Sequence, residues 1–271
     1  MKRIGIVYHS AIDEAVAFAR ELERVLSSQQ VLVWLAPAHE EGKIKPLVPG
    51  TDLVLSLGGD GTILRSARAV VPHAIPILGI NLGRLGFMAE VSPQEVKEHL
   101  DAILSGAGWV DERAMLETVV AGTQLYALND VFMDRGALTR VVHIAVRLDG
   151  EVLTTYKADG VIVASATGST GYALAAGGPI IYPQSRSILL QPISSHPGPS
   201  TALVLPPDAV ISLELTSRHP AMLSIDGQID FPVNSGEKIQ VKRSTCVTRF
   251  SRLGSPFFFY KSLGQRLGGR L

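Results

Sequence analysis

An apolar run that leads into three glycines and an aspartate is the segment of this sequence best suited to chemistry. Residues 52–57 read Asp-Leu-Val-Leu-Ser-Leu, and residues 58–62 read Gly-Gly-Asp-Gly-Thr. Glycines let a backbone approach a phosphate closely, and the free N–H groups at a helix start attract negative charge. Asp60 could accept a hydroxyl proton or orient a metal ion. The segment predicts a phosphate-binding loop; the alternative is a tight turn in which Asp60 caps a helix.

Two common nucleotide-binding loops do not occur in the sequence. There is no G-x-x-x-x-G-K-[ST] segment, and no G-x-G-x-x-G segment follows a predicted strand. The absence of both patterns excludes a Walker-type site and a Rossmann dinucleotide site. Arg65 lies one helical turn after Gly61, where it could reach phosphate oxygens or lie on a solvated helix face.

Four later segments form an ordered series behind the glycine loop. Residues 81–87 read Asn-Leu-Gly-Arg-Leu-Gly-Phe, residues 128–130 read Leu-Asn-Asp, and residues 225–228 read Ile-Asp-Gly-Gln. Residues 159–179 form a long glycine-rich segment that begins with Asp-Gly-Val and includes Thr-Gly-Ser-Thr-Gly-Tyr. Taken singly, an Asn-Asp pair indicates a turn more often than a ligand site.

Together these segments resemble the motifs of the NAD kinase family. The Gly-Gly-Asp-Gly-Thr loop is similar to one that NAD kinases share with diacylglycerol kinases and sphingosine kinases, and the later segments resemble NAD kinase motifs in the same order. The resemblance implies an enzyme that moves the γ-phosphate of ATP onto the 2′-hydroxyl of the adenosine ribose of NAD. In the long segment Ser165-Ala166 replace the family's usual Thr-Pro, and Gly171 and Ala175 replace Ala and Ser, so one hydrogen bond to the ligand is expected to be missing.

The resemblance implies a role for each matching residue. Asp60 acts as the general base for the 2′-hydroxyl. The residues expected to bind NAD are Asp60, Gly61, Phe87, Asn129, Asp130, Arg140, Lys157, Asp159, Thr170, Gly171, Tyr172, Ala173, Leu174, Ala175 and Gln228. The residues expected to bind phosphate are Gly58, Gly59, Thr62 and Arg65.

Several of these residues also fit an ordinary structural interpretation. Lys157 and Asp159 could be the charged face of a strand, and Arg140 could be a charge at a strand end. Tyr172 could belong to the core instead of packing its ring on a base of the ligand. Asn129 and Asp130 present hydrogen-bond donors and acceptors side by side, which favours ligand binding.

The first half of the chain must position the glycine loop. From Arg3 to about Ser105, short apolar runs alternate with amphipathic stretches, which predicts a parallel sheet covered by helices. The predicted strands are residues 4–8, 31–35, 52–57 and 75–80, and the predicted helices lie at residues 15–26 and 63–70. The loop then follows the third strand, at the edge where open α/β sheets bind ligands.

The second half must position the later segments. After Gly108 the helical pattern fades, and strands are predicted at residues 116–121, 141–148, 160–164, 209–215 and 239–241, with a hairpin at Asp149-Gly150. The sequence therefore predicts an α/β domain of residues 1–107 and a mostly β dinucleotide-binding domain of residues 108–252, with the site between them. Residues 253–271 are expected to return to the first domain, with a buried strand at residues 256–260.

Composition limits the partners of the 271-residue chain. Lys plus Arg equals Asp plus Glu at 25 each, so no overall field favours nucleic acid or a membrane surface. The single cysteine, the absence of an apolar signal core and the absence of a transmembrane run favour a cytoplasmic protein. No His or Cys cluster has metal-binding spacing, so a divalent metal, Mg²⁺, is expected to arrive with ATP. The family resemblance also implies a homodimer or homotetramer.

Two other functions fit part of the sequence. A lipid kinase of the diacylglycerol kinase type would share the glycine loop but needs an apolar acceptor pocket. A non-catalytic sensor of NAD or NADP would share the dinucleotide motifs without needing Asp60. The phosphate donor could be ATP or polyphosphate.

Overall fold

The computed structural model describes residues 1–83, 86–136, 140–194, 200–257, 259–260 and 263–264. The chain forms two compact units, Met1–Glu112 with Thr248–Leu271 and Arg113–Val247. It passes from one unit to the other within strand β5 (Trp109–Val120) and again within strand β16 (Lys238–Arg252). The domain boundaries predicted from the sequence, after residues 107 and 252, lie a few residues from these points.

The first unit is built on a parallel sheet, as predicted. Its strands are β1 (Arg3–Tyr8), β2 (Leu32–Pro37), β3 (Leu53–Leu57) and β4 (Ile77–Ile80). They lie in the order β2-β1-β3-β4, and every neighbouring pair is parallel. The end of β16 extends this sheet, because Phe250 pairs in parallel with Ile77.

Helices cover the sheet because their apolar side chains recur at helical spacing. The helices are α1 (Asp13–Ser28), α2 (Glu41–Ile44), α3 (Asp60–Val70), α4 (Pro93–Glu98) and α5 (Leu100–Ser105). On α1, the side chains of Phe18, Leu22 and Leu26 share one face and pack into the core with strands β1 and β3. The two helices predicted from the sequence correspond to α1 and α3.

The second unit is mostly antiparallel β structure. One sheet contains β8 (Val142–Leu148), β9 (Glu151–Ala158), β13 (Val210–Leu215) and the first part of β16, in the order β16-β13-β8-β9. Strand β5 pairs with β16 in the same sheet and forms a hairpin with β6 (Thr123–Ala127). The predicted hairpin at Asp149-Gly150 is confirmed: it joins β8 to β9, and both turn residues have positive φ angles, 52° and 91°.

A second sheet carries most of the later motifs. Its order is β12 (Leu203–Leu205), β11 (Ile188–Ile193), β10 (Gly160–Ser165), β7 (Asp130–Asp134), β14 (Ala221–Ile225) and β15 (Ile229–Val233). Along β10, Val161 and Val163 face the main core of the unit, while Ile162 and Ala164 pack with Ala173 of helix α6 (Tyr172–Ala175). Strand β10 is buried on both faces, which explains its continuous apolar sequence.

The buried strand predicted at residues 256–260 is wrong. Pro256 and Phe257 lie in a turn, Phe259 and Tyr260 are helical, and Phe257 and Tyr260 are exposed; Phe258 lies outside the described residues. A short aromatic run has no period that separates strand from helix, and this misled the sequence interpretation. The strand that joins the first sheet is instead the end of β16, where Phe250 is fully buried.

None of the helices in the described part of the chain is both long enough and apolar enough to span a bilayer.

Candidate functional site

The glycine loop joins β3 directly to α3. Strand β3 ends at Leu57, Gly59 is the residue that caps α3, and Asp60 is the first helical residue. No side chain caps this helix. The alternative in which Asp60 is the capping residue is therefore wrong, and its carboxylate is available for other contacts.

The Asp60 carboxylate is held by a segment that follows β4. Its Oδ2 atom accepts a hydrogen bond from the backbone N–H of Phe87 at 2.8 Å, and its Oδ1 atom accepts one from Met88 at 3.2 Å. A carboxylate offers about four lone-pair positions, so these two bonds leave others to accept a proton. Asp60 is only half-buried, so an incoming group can reach it.

Gly86 makes this contact possible, and the sequence analysis did not select it. A Cβ atom added to Gly86 would overlap the Asp60 carboxylate. Phe87, which was predicted to line the adenosine pocket, is half-buried and supplies its backbone N–H to Asp60. The second glycine of the Asn-x-Gly-x-x-Gly-Phe segment was the available signal. Arg84 and Leu85 lie outside the described residues.

Arg252 supports the same segment, and no sequence pattern predicted this role. This buried side chain donates a hydrogen bond to the carbonyl oxygen of Met88 at 2.7 Å and another to Oδ2 of Asp111 at 3.2 Å. Glu90 lies 3.7 Å away as a second ion-pair partner. Met88 is thus bound through its carbonyl by Arg252 and through its N–H by Asp60.

The other predicted phosphate ligands differ in accessibility. Gly59 and Gly61 are exposed, and Arg65 is half-buried with no hydrogen bond or ion pair to any described residue. Thr62 is buried, and its hydroxyl finds no hydrogen-bond partner in the described ranges. This hydroxyl lies against Gly58, where an added Cβ would overlap it. Gly58, Gly59, Gly61 and Arg65 therefore surround the start of α3, while the hydroxyl of Thr62 faces inward.

A pocket of about 230 Å³ lies in the second unit. It is lined by Asn129, Asp130, Phe132, Tyr172, Ser224, Asp226 and Gly227. The ring of Tyr172 stands edge-on to that of Phe132, with centroids 5.3 Å apart and an interplanar angle of 79°. Because Tyr172 is 49% exposed, the core interpretation of this residue does not hold.

The turn that carries Asn129 and Asp130 is clamped from its N–H side by Asp226. Oδ1 of Asp226 accepts hydrogen bonds from the N–H groups of Asn129 at 2.7 Å and Asp130 at 3.2 Å. Oδ2 accepts one from Leu128 at 3.1 Å. Three consecutive backbone donors therefore share one carboxylate. Only Gln228 of the Asp-Gly-Gln segment was predicted to bind NAD, so the role of Asp226 was missed.

The carbonyl side of the same turn is held by Ser165. Its N–H donates to the carbonyl oxygen of Asn129 at 2.8 Å, and its hydroxyl donates to that of Leu128 at 2.5 Å. A Cβ added to Gly168 would overlap the Asn129 backbone, so the glycine-rich segment packs directly on this turn. Nearly every backbone polar group of residues 128–130 thus has a partner, which fixes the direction of the two side chains.

Burial and charge both act on Asp130. Desolvation, with a smaller contribution from the neighbouring Asp226 charge, raises the pKa of Asp130 to about 7. Asp130 is almost fully buried, yet it lies in the pocket wall. Near neutral pH this carboxyl group can therefore either donate or accept a hydrogen bond.

The residues of the glycine-rich segment contribute unequally to the pocket. Gly171 lies beside Asn129 and Asp130, since an added Cβ would be 3.6 Å from Nδ2 of Asn129. The hydroxyl of Thr170 donates to the carbonyl of Thr167, and Ala173 is buried against β10. Leu174 is half-buried and Ala175 is exposed. Gln228 closes the turn at Asp226-Gly227 through its N–H, which donates to Ile225 at 3.0 Å.

Three charged residues are among the predicted NAD ligands that do not line this pocket. Lys157 is exposed on β9, and Asp159 forms an ion pair with Arg135 at 2.8 Å. Arg140 is exposed and donates a hydrogen bond to Nε2 of His219 at 3.2 Å. The structural alternatives for these residues, a charged strand face and a strand-end charge, describe where they lie. The altered segment around His196 lies outside the described residues.

Within the described ranges, no three His, Cys, Asp or Glu residues come close enough together to hold a metal ion.

Family models match both halves of the chain. The model described as the ATP-NAD kinase N-terminal domain matches residues 45–107, and the one described as the ATP-NAD kinase C-terminal domain matches residues 128–253. An NAD kinase of Dehalococcoides mccartyi is 42% identical over 99% of this chain and 96% of its own length. An NAD kinase of Chloroflexus aurantiacus is 42% identical over 98% of this chain and 99% of its own length.

Solved structures show the same similarity. Yeast NADH kinase complexed with NADH superposes with a TM-score of 0.82 at 25% identity, covering 100% of this chain and 88% of that chain. An NAD kinase from Archaeoglobus fulgidus in complex with ATP gives a TM-score of 0.79 at 26% identity, covering 97% of this chain and 98% of that chain.

Proposed function

The chain belongs to the NAD kinase family, and we propose that it converts NAD to NADP with Asp60 as the general base. The γ-phosphate of ATP is transferred to the 2′-hydroxyl of the adenosine ribose of NAD. The observation that carries the role of Asp60 is its half-exposed carboxylate at the start of α3, held by two backbone N–H groups with lone pairs to spare.

The reaction follows from this geometry. As the 2′-oxygen forms its bond to the γ-phosphorus, the hydroxyl proton passes to Asp60. The bond between the γ-phosphorus and the bridging oxygen breaks, and ADP leaves with that electron pair. Asp60 then releases its proton to solvent, so one NAD and one ATP give NADP, ADP and a proton.

The loop before α3 binds the triphosphate in this proposal. The exposed glycines Gly59 and Gly61 let the phosphate oxygens approach the positive end of α3, and Arg65 adds a full charge one turn further on. Mg²⁺ enters as part of the ATP substrate, since Mg²⁺ prefers phosphate oxygens and water to an all-protein site. Gly58 lets the backbone of the loop lie close to the phosphates. The hydroxyl of Thr62 is buried, so Thr62 helps to shape the loop and does not contact the phosphates through its hydroxyl.

The pocket of the second unit binds NAD in this proposal. Asn129 and Asp130 hydrogen-bond the nucleoside, and the ring of Tyr172 packs against it beside Gly171. The NADH and ATP in the yeast and archaeal relatives support this choice of ligands. Arg140, Lys157, Asp159 and Gln228 remain proposed contacts that lie outside the pocket wall. No observation favours a lipid kinase or a non-catalytic sensor.

We also propose an assembly state and a cellular compartment. A homodimer or homotetramer follows from the family resemblance, and a cytoplasmic location is supported by the single cysteine. Light scattering at several concentrations measures the assembly directly, and a monomer at all of them would contradict it.

One assay tests the proposed function. The protein is incubated with ATP, Mg²⁺ and NAD, and an NADP-specific dehydrogenase then reports the product. Signal that depends on all three components is expected, and polyphosphate in place of ATP tests the donor. Phosphorylation of a lipid micelle without NADP formation would overturn the assignment, and NAD binding without turnover would indicate a sensor.

A further inference from the structure

The carboxylate of Asp226 makes the densest set of polar contacts in the pocket without being a proposed ligand of NAD. It binds three consecutive N–H groups, at Leu128, Asn129 and Asp130, and its own N–H donates to the carbonyl of Asp130 at 2.9 Å. These contacts join residues almost a hundred positions apart in the sequence. Asp226 is buried, so no solvent replaces them.

We propose that Asp226 is a positioning residue, whose carboxylate fixes the turn of residues 128–130 so that Asn129 and Asp130 face the bound dinucleotide. The inference rests on the proposed NAD site and adds to it a residue that acts through the ligands of that site. Its role is to select one conformation of the turn.

Only a carboxylate can satisfy this turn completely. Its two oxygens accept from all three donors, whereas an amide offers one oxygen and turns its NH₂ group toward the remaining N–H. A buried donor without an acceptor is costly, so the turn would leave its present conformation for part of the time. Affinity for NAD falls in proportion to the fraction of molecules that keep the competent turn.

The turn that carries Asp226 tolerates a substitution that leaves its backbone conformation unchanged. Asp226 and Gly227 have φ angles of 53° and 62°, which is the pattern of a type I′ hairpin turn. Asn is as well suited to this turn as Asp. Asp226→Asn therefore keeps the backbone preference and removes one oxygen and one charge.

The electrostatic setting of Asp130 gives a second readout. Asp226 on the β14–β15 turn is the charged group that acts on it. The glycine-rich segment presents the phenol of Tyr172 to the pocket. Arg113 donates a hydrogen bond to the hydroxyl of Thr167, in the same segment, at 3.3 Å. Removing the Asp226 charge lowers the pKa of Asp130 from about 7, while burial still holds it above its ordinary value.

The matched control is Asp149→Asn. Asp149 and Gly150 form the other Asp-Gly hairpin turn with two positive φ angles, and Oδ1 of Asp149 accepts a hydrogen bond from the N–H of Val210 at 2.8 Å. This turn is exposed and takes no part in the pocket. It therefore reports the general cost of exchanging Asp for Asn in such a turn.

The experiment measures KM for NAD and kcat for both variants from pH 5 to pH 9. For Asp226→Asn we expect KM to rise about tenfold or more with kcat at saturating NAD little changed. The pH at which KM changes, about 7 in the unsubstituted protein, should move to lower pH. Asp149→Asn should alter neither quantity.

The inference is overturned if Asp226→Asn behaves like Asp149→Asn, or if it lowers kcat and leaves KM unchanged. If Asp226→Asn does not fold, Ser165→Ala tests the same clamp from its carbonyl side and should raise KM in the same way. Failure of the unsubstituted protein to make NADP would refute the proposed function instead, so the two failures are distinct.

Discussion

Two aspartates, each followed by glycine, bind distant backbone N–H groups but serve different ends. Asp60 in the first unit accepts two such bonds, from residues 27 and 28 positions away, and stays half-exposed at a helix start. Asp226 in the second unit accepts three, from residues 96 to 98 positions away, and is buried in a hairpin turn. We propose that Asp60 serves as a base because lone pairs of its carboxylate remain accessible, and that Asp226 organises a turn because backbone N–H groups occupy its lone pairs.

The side chains that hold the partner segments of the two aspartates also differ in charge. An ion-pair network centred on Arg252 holds the segment that binds Asp60. A neutral side chain, Ser165, holds the turn that binds Asp226. Loss of support should therefore cost more in the first unit than in the second.

Arg252→Leu tests the support in the first unit. We expect a loss of about 3–5 kcal/mol in the free energy of unfolding, because Asp111 and Glu90 are left as buried charges without their partner. Urea unfolding measures it. Arg249→Leu on the same strand breaks only an exposed ion pair with Glu112 and should cost about 0–1 kcal/mol. Equal losses in the two variants would show that the Arg252 network adds nothing specific.

Gly86→Ala tests the contact between the loop and Asp60. The new methyl group must displace the carboxylate, and a misplacement of about 1 Å is expected to lower kcat by about 10²-fold. Gly83→Ala is the control, because no atom lies within 4 Å of an added Cβ there. If Gly86→Ala retains full turnover, the present position of the Asp60 carboxylate is not the active one.

Tyr172→Ala tests whether the second unit binds the nucleoside by stacking. We expect the Kd for NAD to rise about tenfold, since stacking of a base on an aromatic ring contributes about 1–3 kcal/mol. Calorimetry measures the affinity, and Tm should change little because the side chain is 49% exposed. Tyr182→Ala removes another exposed tyrosine, just after the glycine-rich segment, and should leave the affinity intact. A lower Tm with unchanged affinity would favour a structural role.

Asp130 should make the free energy of unfolding depend on pH. Its pKa in the folded protein, about 7, exceeds the ordinary 3.8, so the folded state keeps a proton that the unfolded chain has lost. This group therefore makes stability fall as pH rises from about 4 to 7. Asp130→Asn should remove that slope in urea unfolding at pH 5 and pH 8, while Asp149→Asn should keep it. An unchanged slope in Asp130→Asn would assign the pH dependence to other groups.

The sequence predicted what local patterns encode. Alternation of short strands with amphipathic stretches predicted the parallel sheet and α3, and Asp149-Gly150 predicted a hairpin. The family resemblance led to Asn129, Asp130 and Tyr172 of the pocket wall, but it did not single out Asp226, Gly86 or Arg252. These act through bonds between residues far apart in the chain, and a local pattern carries no information about such pairs.

The most direct test of Asp60 as the base is the single-turnover rate of NADP formation by the Asp60→Asn variant at saturating NAD and ATP. Asn keeps the size of the side chain but cannot take the proton, so the rate should fall roughly 10²–10⁴-fold with little change in the Kd for NAD. Asp13→Asn, at the exposed first residue of α1, should leave the rate unchanged. A near-normal rate in Asp60→Asn would contradict the assignment of Asp60 as the base.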